Sequence, residues 1–92
     1  MTRAKTPAGP ERDAPPAAAR VTEYDRRHLV IYLRLLDAAA AGAPWEEVAH
    51  IVLGLDPAAE PERARRVWAA HLARARWMTE AGYGQLLQAE RQ

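Results

Sequence analysis

The chain has 92 residues, no cysteine, and 13 basic against 12 acidic side chains, for a formal net charge of +1. A chain of this length supports one small domain, and because much of its 49% hydrophobic content is alanine, its core is too thin to enclose a deep substrate pocket. The missing cysteine excludes a disulfide framework and a thiol nucleophile, and the absence of a long apolar run or a signal peptide predicts a cytoplasmic protein without a membrane partner.

Residues 1–21 are rich in proline and alanine and carry a net charge of +2. Such a stretch cannot bury enough apolar surface to offset the entropy of ordering it. We therefore predict a disordered arm over residues 1–21, followed by the folded domain over residues 22–92. Its positive charge leaves open that the arm contacts nucleic acid.

The first predicted helix runs from Thr22, which can cap it, to about Ala41, with Gly42 ending it. Two lines of side chains repeat at helical spacing. The first line comprises Leu29, Tyr32, Leu33, Leu36 and Ala40, and the second comprises Tyr24, His28, Ile31 and Leu35. Either the helix is packed on both sides, or the second line, together with Arg27, forms a surface that docks a partner.

Two more helices follow. The second begins at Pro44 and stops near Gly54, and the third runs from about Pro61 to Ala81, with Gly82 as a left-handed cap. The inward face of the third helix consists of Ala64, Val67, Trp68, His71, Leu72, Ala75 and Met78. Residues 83–88 suggest a short terminal helix. No segment alternates like a strand, so the fold class is all-α, with three main helices.

The chain contains no pattern that would support catalysis. Its three histidines, His28, His50 and His71, lack the spacing of metal ligands, and serine is absent. Glu46 and Glu47 are adjacent, so on a helix they point about 100° apart and form no carboxylate pair. We predict no enzymatic activity, no metal site, no cofactor and no small-molecule substrate.

Charge is segregated along the folded part. Residues 23–60 carry a net charge of −4, whereas residues 62–76 carry +4. The outer face of the third helix is predicted to show small residues flanked by arginines and one aromatic: Arg63, Arg66, Ala70, Ala73, Arg74 and Trp77. Arginine reads guanine edges and binds phosphates, and it is also enriched in protein interfaces. This face is therefore an ordinary solvated surface, a DNA-binding surface or a protein-binding surface.

The order of a helix, a short helix, a loop and a long arginine-bearing helix is that of a helix-turn-helix unit, with a connection longer than the 3–4 residues of the tight version. Several segments also resemble the RovC-type DNA-binding domain family over roughly residues 26–88. These segments are LLD at 35–37, AGAPWEEVA at 41–49, VLG at 52–54, RARR at 63–66, AR at 75–76 and, most specifically, AGYGQLL at 81–87.

The resemblance implies a helix-turn-helix-like fold and a role in transcription control. It further implies that members consisting of little more than this domain, the QseM-like antiactivators of integrative and conjugative elements, bind an activator built from related domains and block it. Other members bind promoter DNA. The folded part of this chain has nine basic and ten acidic side chains. We therefore predict an antiactivator with a protein partner, linked to quorum sensing, and keep direct DNA binding as the alternative.

Overall fold

The computed structural model describes residues 9–82 and residue 84. Helix α1 spans Glu23–Arg27 and helix α2 spans Leu29–Ala41. The predicted cap at Thr22 is confirmed, since its hydroxyl accepts from the backbone N–H of Asp25 while the Asp25 carboxylate accepts from the backbone N–H of Thr22. The single helix predicted from residue 22 to 41 is instead two helices, because the backbone of His28 leaves the helical region, at φ −111° and ψ 17°.

Helix α2 ends where the sequence predicts, at Gly42, which adopts a left-handed conformation with φ 76°. Pro44 lies just ahead of helix α3, Trp45–Ile51. The loop that follows contributes Leu53, which is 2% exposed, to the core. Asp56 organises the rest of the loop by accepting the backbone N–H groups of residues 58 and 59.

Helix α4 spans Pro61–Trp77 and continues into a π-helical turn at Met78–Gly82. The predicted left-handed cap at Gly82 is wrong, because a left-handed backbone occurs among the described residues only at Gly42 and Gly54. Gly82 is buried, and a Cβ built on it would lie 2.6 Å from the Trp77 ring. The predicted terminal helix at 83–88 lies, apart from residue 84, outside the described residues.

The core forms where α4 packs against α2 and α3. Its main cluster consists of Leu35, Val48, Leu53, Val67 and Leu72, and a second cluster consists of Tyr32, Ala75 and Met78. The predicted inward face of α4 is confirmed, with Trp68 at its partly buried edge. Among the described residues no strand occurs, so the all-α prediction is confirmed, and α2, α3 and α4 are its three main helices.

Residues 9–21, which we call the strap, form neither helix nor strand and are held against the domain by specific contacts. The strap begins against the loop after α3, where a Cβ on Gly9 would overlap the carbonyl oxygen of Leu53. The backbone N–H of Glu11 donates to His28, and Asp13 pairs with Arg63. The structure therefore differs from the predicted disordered arm over residues 9–21. Residues 1–8 lie outside the described part, and for them disorder stays a prediction.

Candidate nucleic-acid interface

The solvent-facing side of α4 is a stripe of charged and small residues. Its members are Glu62, Arg65, Arg66, Ala69, Ala73 and Arg76, all of them exposed. The stripe faces outward because α2, α3 and the strap cover the other sides of the helix. Its two alanines allow another surface to approach the helix backbone, and the arginines flank them. We call these six residues the outer face of α4.

The arginines of α4 divide into two groups. Arg63 and Arg74 are bound to acids of the same chain. In contrast, no hydrogen bond or ion pair among the described residues engages the guanidinium group of Arg65, Arg66 or Arg76. These three guanidinium groups are therefore available to an external anion or to the edges of bases.

Arg63 lies at the rim of the outer face and is half-exposed. Its guanidinium group donates to both carboxylate oxygens of Asp13, at 2.9 and 3.1 Å, and to Glu60 at 3.2 Å. The hydrogen bonds to Asp13 and then to Glu60 raise the pKa of Arg63. The N–H donors of Arg63 are thus engaged within the chain by Asp13 of the strap and by Glu60, although the sequence predicts Arg63 as a binding residue.

Arg74 is buried rather than outward-facing, so its predicted position on the outer face is wrong. It is 8% exposed and pairs with Asp25, which is fully buried, through two bonds of 2.9 Å (Nε to Oδ1) and 2.7 Å (Nη2 to Oδ2). The hydroxyl of Tyr32 donates to the same carboxylate over 2.8 Å. Burial alone would raise the pKa of Asp25, but hydrogen bonds from Arg74, Thr22 and Tyr32 outweigh it and lower the pKa to about 2.

The remaining donors of Arg74 hold the strap. They reach the backbone carbonyls of Ala18 at 2.7 Å and Arg20 at 2.9 Å, while the centre of the Trp77 ring lies 4.0 Å from the guanidinium carbon. Arg74 therefore links the strap, α1 and α4 in one buried cluster. The physical reason for its inward orientation is the buried carboxylate of Asp25, a long-range partner that helical spacing on α4 cannot reveal.

A second buried cluster joins α1 to α4 through two histidines. The Nδ1–H of His71 donates to the carbonyl of Val67 at 2.9 Å, and the hydroxyl of Tyr24 is hydrogen-bonded to His71 Nε2 over 2.7 Å. His28 likewise donates through Nδ1 to the carbonyl of Tyr24 and accepts the backbone N–H of Glu11 at Nε2. Carbonyl oxygens only accept, so each ring carries a proton on Nδ1. Burial lowers the pKa of His71, which is fully buried.

These contacts also bear on the second partner surface, which the sequence predicts on the first helix. Tyr24, His28 and Leu35 are buried, so they form part of the domain interior and cannot dock a partner from solution. Ile31 packs against the core, and Arg27 is paired with Glu11 at 2.9 Å. The cause is that α4 and the strap pack mainly on the second apolar line, so that line is buried in the domain.

Part of the first apolar line faces solvent instead. Leu33 is 61% exposed and the neighbouring Val30 is 64% exposed. An apolar groove of about 330 Å³ runs beside them between α2 and the π turn, lined by Leu29, Tyr32, Leu33, Leu36, Ala75, Met78 and Thr79. The groove and its exposed rim on α2 therefore lie on a different set of residues from the outer face of α4.

Of the residues predicted for the outer face of the third helix, Arg66 and Ala73 are exposed there. Ala70 and Trp77 are half-buried, and Arg63 and Arg74 have partners within the chain. The exposed stripe also contains Arg65 and Arg76, which the sequence interpretation missed as site residues. Helical spacing places Arg65 and Arg76 on the exposed side of α4 only once Arg74 is known to point inward, and the sequence does not show that it does.

Within residues 9–82 and 84, no group of three or more histidine and acidic side chains is placed to hold a metal ion, and no helix combines the length and apolar content needed to cross a membrane.

Comparison with known protein families identifies the family of the chain. A family model described as "T6SS, Transcription factor, DNA binding domain", of the RovC type, matches residues 2–88. The chain belongs to this family. The match starts ahead of the strap, so the RovC-type domain includes the strap as well as the helices, a wider range than residues 26–88. Membership favours a non-enzymatic role in transcription. A search of curated proteins finds no significant relative.

Proposed function

We propose that this RovC-type domain is a transcriptional regulator that binds duplex DNA through the outer face of α4. The observation that supports the proposal is the set of three exposed arginines, Arg65, Arg66 and Arg76, whose guanidinium groups have no acceptor among the described residues. Small residues lie between them. Because α4 follows α3 as the second helix of a helix-turn-helix-like pair, it is the helix expected to enter the major groove.

The near-zero net charge of the chain is compatible with this function. Three acids of α1 and the strap are engaged with arginines: Asp25 with Arg74, Glu11 with Arg27, and Asp13 with Arg63. Two of these pairs neutralise arginines of α4, but the outer face of α4 keeps Arg65, Arg66 and Arg76 against Glu62, three positive charges less one negative, or a net charge of +2 in a chain whose net charge is +1. Binding should weaken steeply with salt, because each neutralised phosphate releases condensed counterions.

The test is fluorescence anisotropy of a labelled duplex from the promoter region beside the gene, titrated at several salt concentrations. Arg66→Ala should weaken binding and reduce the slope of log K against log salt by about 0.9 for each phosphate that the variant no longer neutralises. Arg34→Ala removes the same charge from an exposed position on α2 and serves as the control, with a slope close to wild type. Absence of binding at low salt, or equal effects of the two variants, contradicts the proposal.

A second candidate function is the antiactivator role that the resemblance implies, in which the domain binds an activator built from related domains and controls the transfer of a conjugative element. The observation that favours it is the apolar groove on α2 with exposed Leu33 beside it. Leu33→Glu should abolish co-purification with an activator encoded on the same element and leave DNA binding intact. If Arg66→Ala abolishes the association and Leu33→Glu does not, the groove is not the docking surface.

A further inference from the structure

Arg65 differs from the other exposed arginines of α4 in lying over two tryptophan rings at once. Its guanidinium carbon lies 5.3 Å from the centre of the Trp45 ring and 5.7 Å from that of Trp68. The two rings are 6.0 Å apart and inclined at 40°. A cation within about 6 Å of an aromatic centre is attracted by the electron density of the ring face. Two such contacts restrict a side chain that would otherwise sample many rotamers.

The two rings come from different helices. Trp45 is the first residue of α3, and Trp68 lies one turn beyond Arg65 on α4. Because α3 and α4 pack directly against each other, their packing fixes the distance between the rings. The position of the Arg65 guanidinium group is thus determined by the α3–α4 interface rather than by the flexible side chain alone.

A cation–π contact of this kind takes up none of the N–H donors in a conventional hydrogen bond. No hydrogen bond or ion pair within the described residues uses the side-chain donors of Arg65, whereas the edge of Arg63 is occupied by Asp13 and Glu60. Arg66 and Arg76 also have free edges, but no ring contact in the described part of the chain holds them. Among the arginines of α4, Arg65 alone is both held in place and free to donate.

We propose that Arg65 is a specificity-determining residue that reads a guanine in the major groove, donating to its O6 and N7 atoms, and that Trp45 and Trp68 are positioning residues. The guanine edge presents two adjacent acceptors that match the forked donors of arginine, which makes this the commonest base-specific contact. Arg65 is the fifth residue of α4, near the N-terminal end from which recognition helices contact bases. This inference depends on the DNA-binding function proposed above.

The experiment begins with selection of duplexes from a random pool by the wild-type protein and by Arg65→Ala. Arg65 is exposed, so the variant keeps the core intact, which its melting curve will verify. The wild type should enrich a sequence with at least one required guanine. Replacing that guanine by 7-deazaguanine removes the N7 acceptor and should weaken wild-type binding by roughly 5-fold or more, with no effect on Arg65→Ala.

Two further variants separate recognition of a specific base from non-specific electrostatic attraction to the DNA backbone. Trp45→Leu should lower the ratio of specific to non-specific affinity while leaving the salt slope unchanged, since a positioning residue carries no charge. Arg66→Ala should lower both affinities together and reduce the slope. A purely structural role for the contacts among Trp45, Arg65 and Trp68 predicts that Trp45→Leu lowers the melting temperature and leaves the ratio of specific to non-specific affinity unchanged.

The outcomes distinguish this inference from the function on which it depends. If the wild type enriches no sequence and binds no duplex, the proposed function fails and the role of Arg65 fails with it. If the wild type selects a sequence and Arg65→Ala selects the same one with the same preference for guanine, DNA binding stands and only the role of Arg65 is overturned.

Discussion

Replacing Arg74 by methionine tests whether the buried cluster, rather than DNA, is the partner of this arginine. Arg74→Met preserves most of the apolar stem but leaves the Asp25 carboxylate, which is fully buried, without its cation. Removing one partner of a buried ion pair costs about 3–5 kcal/mol, because an uncompensated charge remains inside the protein. The substitution also removes both hydrogen bonds to the strap carbonyls.

A chain of 92 residues is expected to have a free energy of unfolding of roughly 5–14 kcal/mol, so a loss of this size is a large fraction of the total. It corresponds to a fall in melting temperature of more than about 12 °C. Urea unfolding followed by circular dichroism measures the loss. Arg66→Met, at an exposed position whose side chain has no partner among the described residues, is the matched control and should change stability by no more than about 0.5 kcal/mol.

Asp25→Asn and the double variant Asp25→Asn/Arg74→Met complete a mutant cycle. The double variant should be less destabilised than the sum of the two single variants by about 1–3 kcal/mol, because each single variant leaves the other partner buried and unpaired. If Arg74→Met costs no more than Arg66→Met, or if the two single effects add, the buried pair does not hold the domain together and our assignment of Arg74 as a structural residue is refuted.

Three further predictions concern the interior. Burial lowers the pKa of His71, so below about pH 6.5 the unfolded chain takes up a proton that the folded state resists. The free energy of unfolding should therefore be highest above that pH and decrease as the pH falls below it. Urea midpoints at pH 7.5 and 5.5 should differ less for His71→Phe than for wild type, and an equal difference would argue against a contribution of His71. Gly82→Ala should cost about 1–3 kcal/mol because its Cβ would meet the Trp77 ring at 2.6 Å. Gly84→Ala should be tolerated, because among the described residues no atom lies within 4 Å of the added Cβ. Melting curves that rank the two variants the other way would contradict the close packing at Gly82. Tyr32→Phe should cost about 1.5–3 kcal/mol in urea unfolding because it removes the hydrogen bond to a buried carboxylate, and a neutral result would show that this bond adds nothing.

Local sequence rules predicted the helices well. The Thr22 cap, the left-handed Gly42 and the inward face of α4 each depend on residues within a few positions of one another, and each is confirmed. The break at His28 was missed because its neighbours continue an amphipathic pattern through it.

What the sequence could not supply were the contacts between distant segments. Arg74 turns inward to meet Asp25, 49 residues away, and this rotates the exposed stripe of α4 toward Arg65 and Arg76. Proline- and alanine-rich composition predicted a disordered arm, but hydrogen bonds to the strap backbone from Arg74, and from that backbone to His28, do not depend on apolar content. Which of two apolar lines on α2 is covered is likewise a property of packing.

The outer face of α4, proposed as the DNA-binding surface, can be probed residue by residue. Backbone amide chemical shifts, recorded by NMR during titration with a promoter duplex at low salt, report directly on where DNA binds. We expect the largest shift changes at residues 62–76, centred on Arg65 and Arg66, with little change around Leu33 on α2. Changes confined to the groove on α2, or none at all on addition of DNA, would contradict DNA binding through α4.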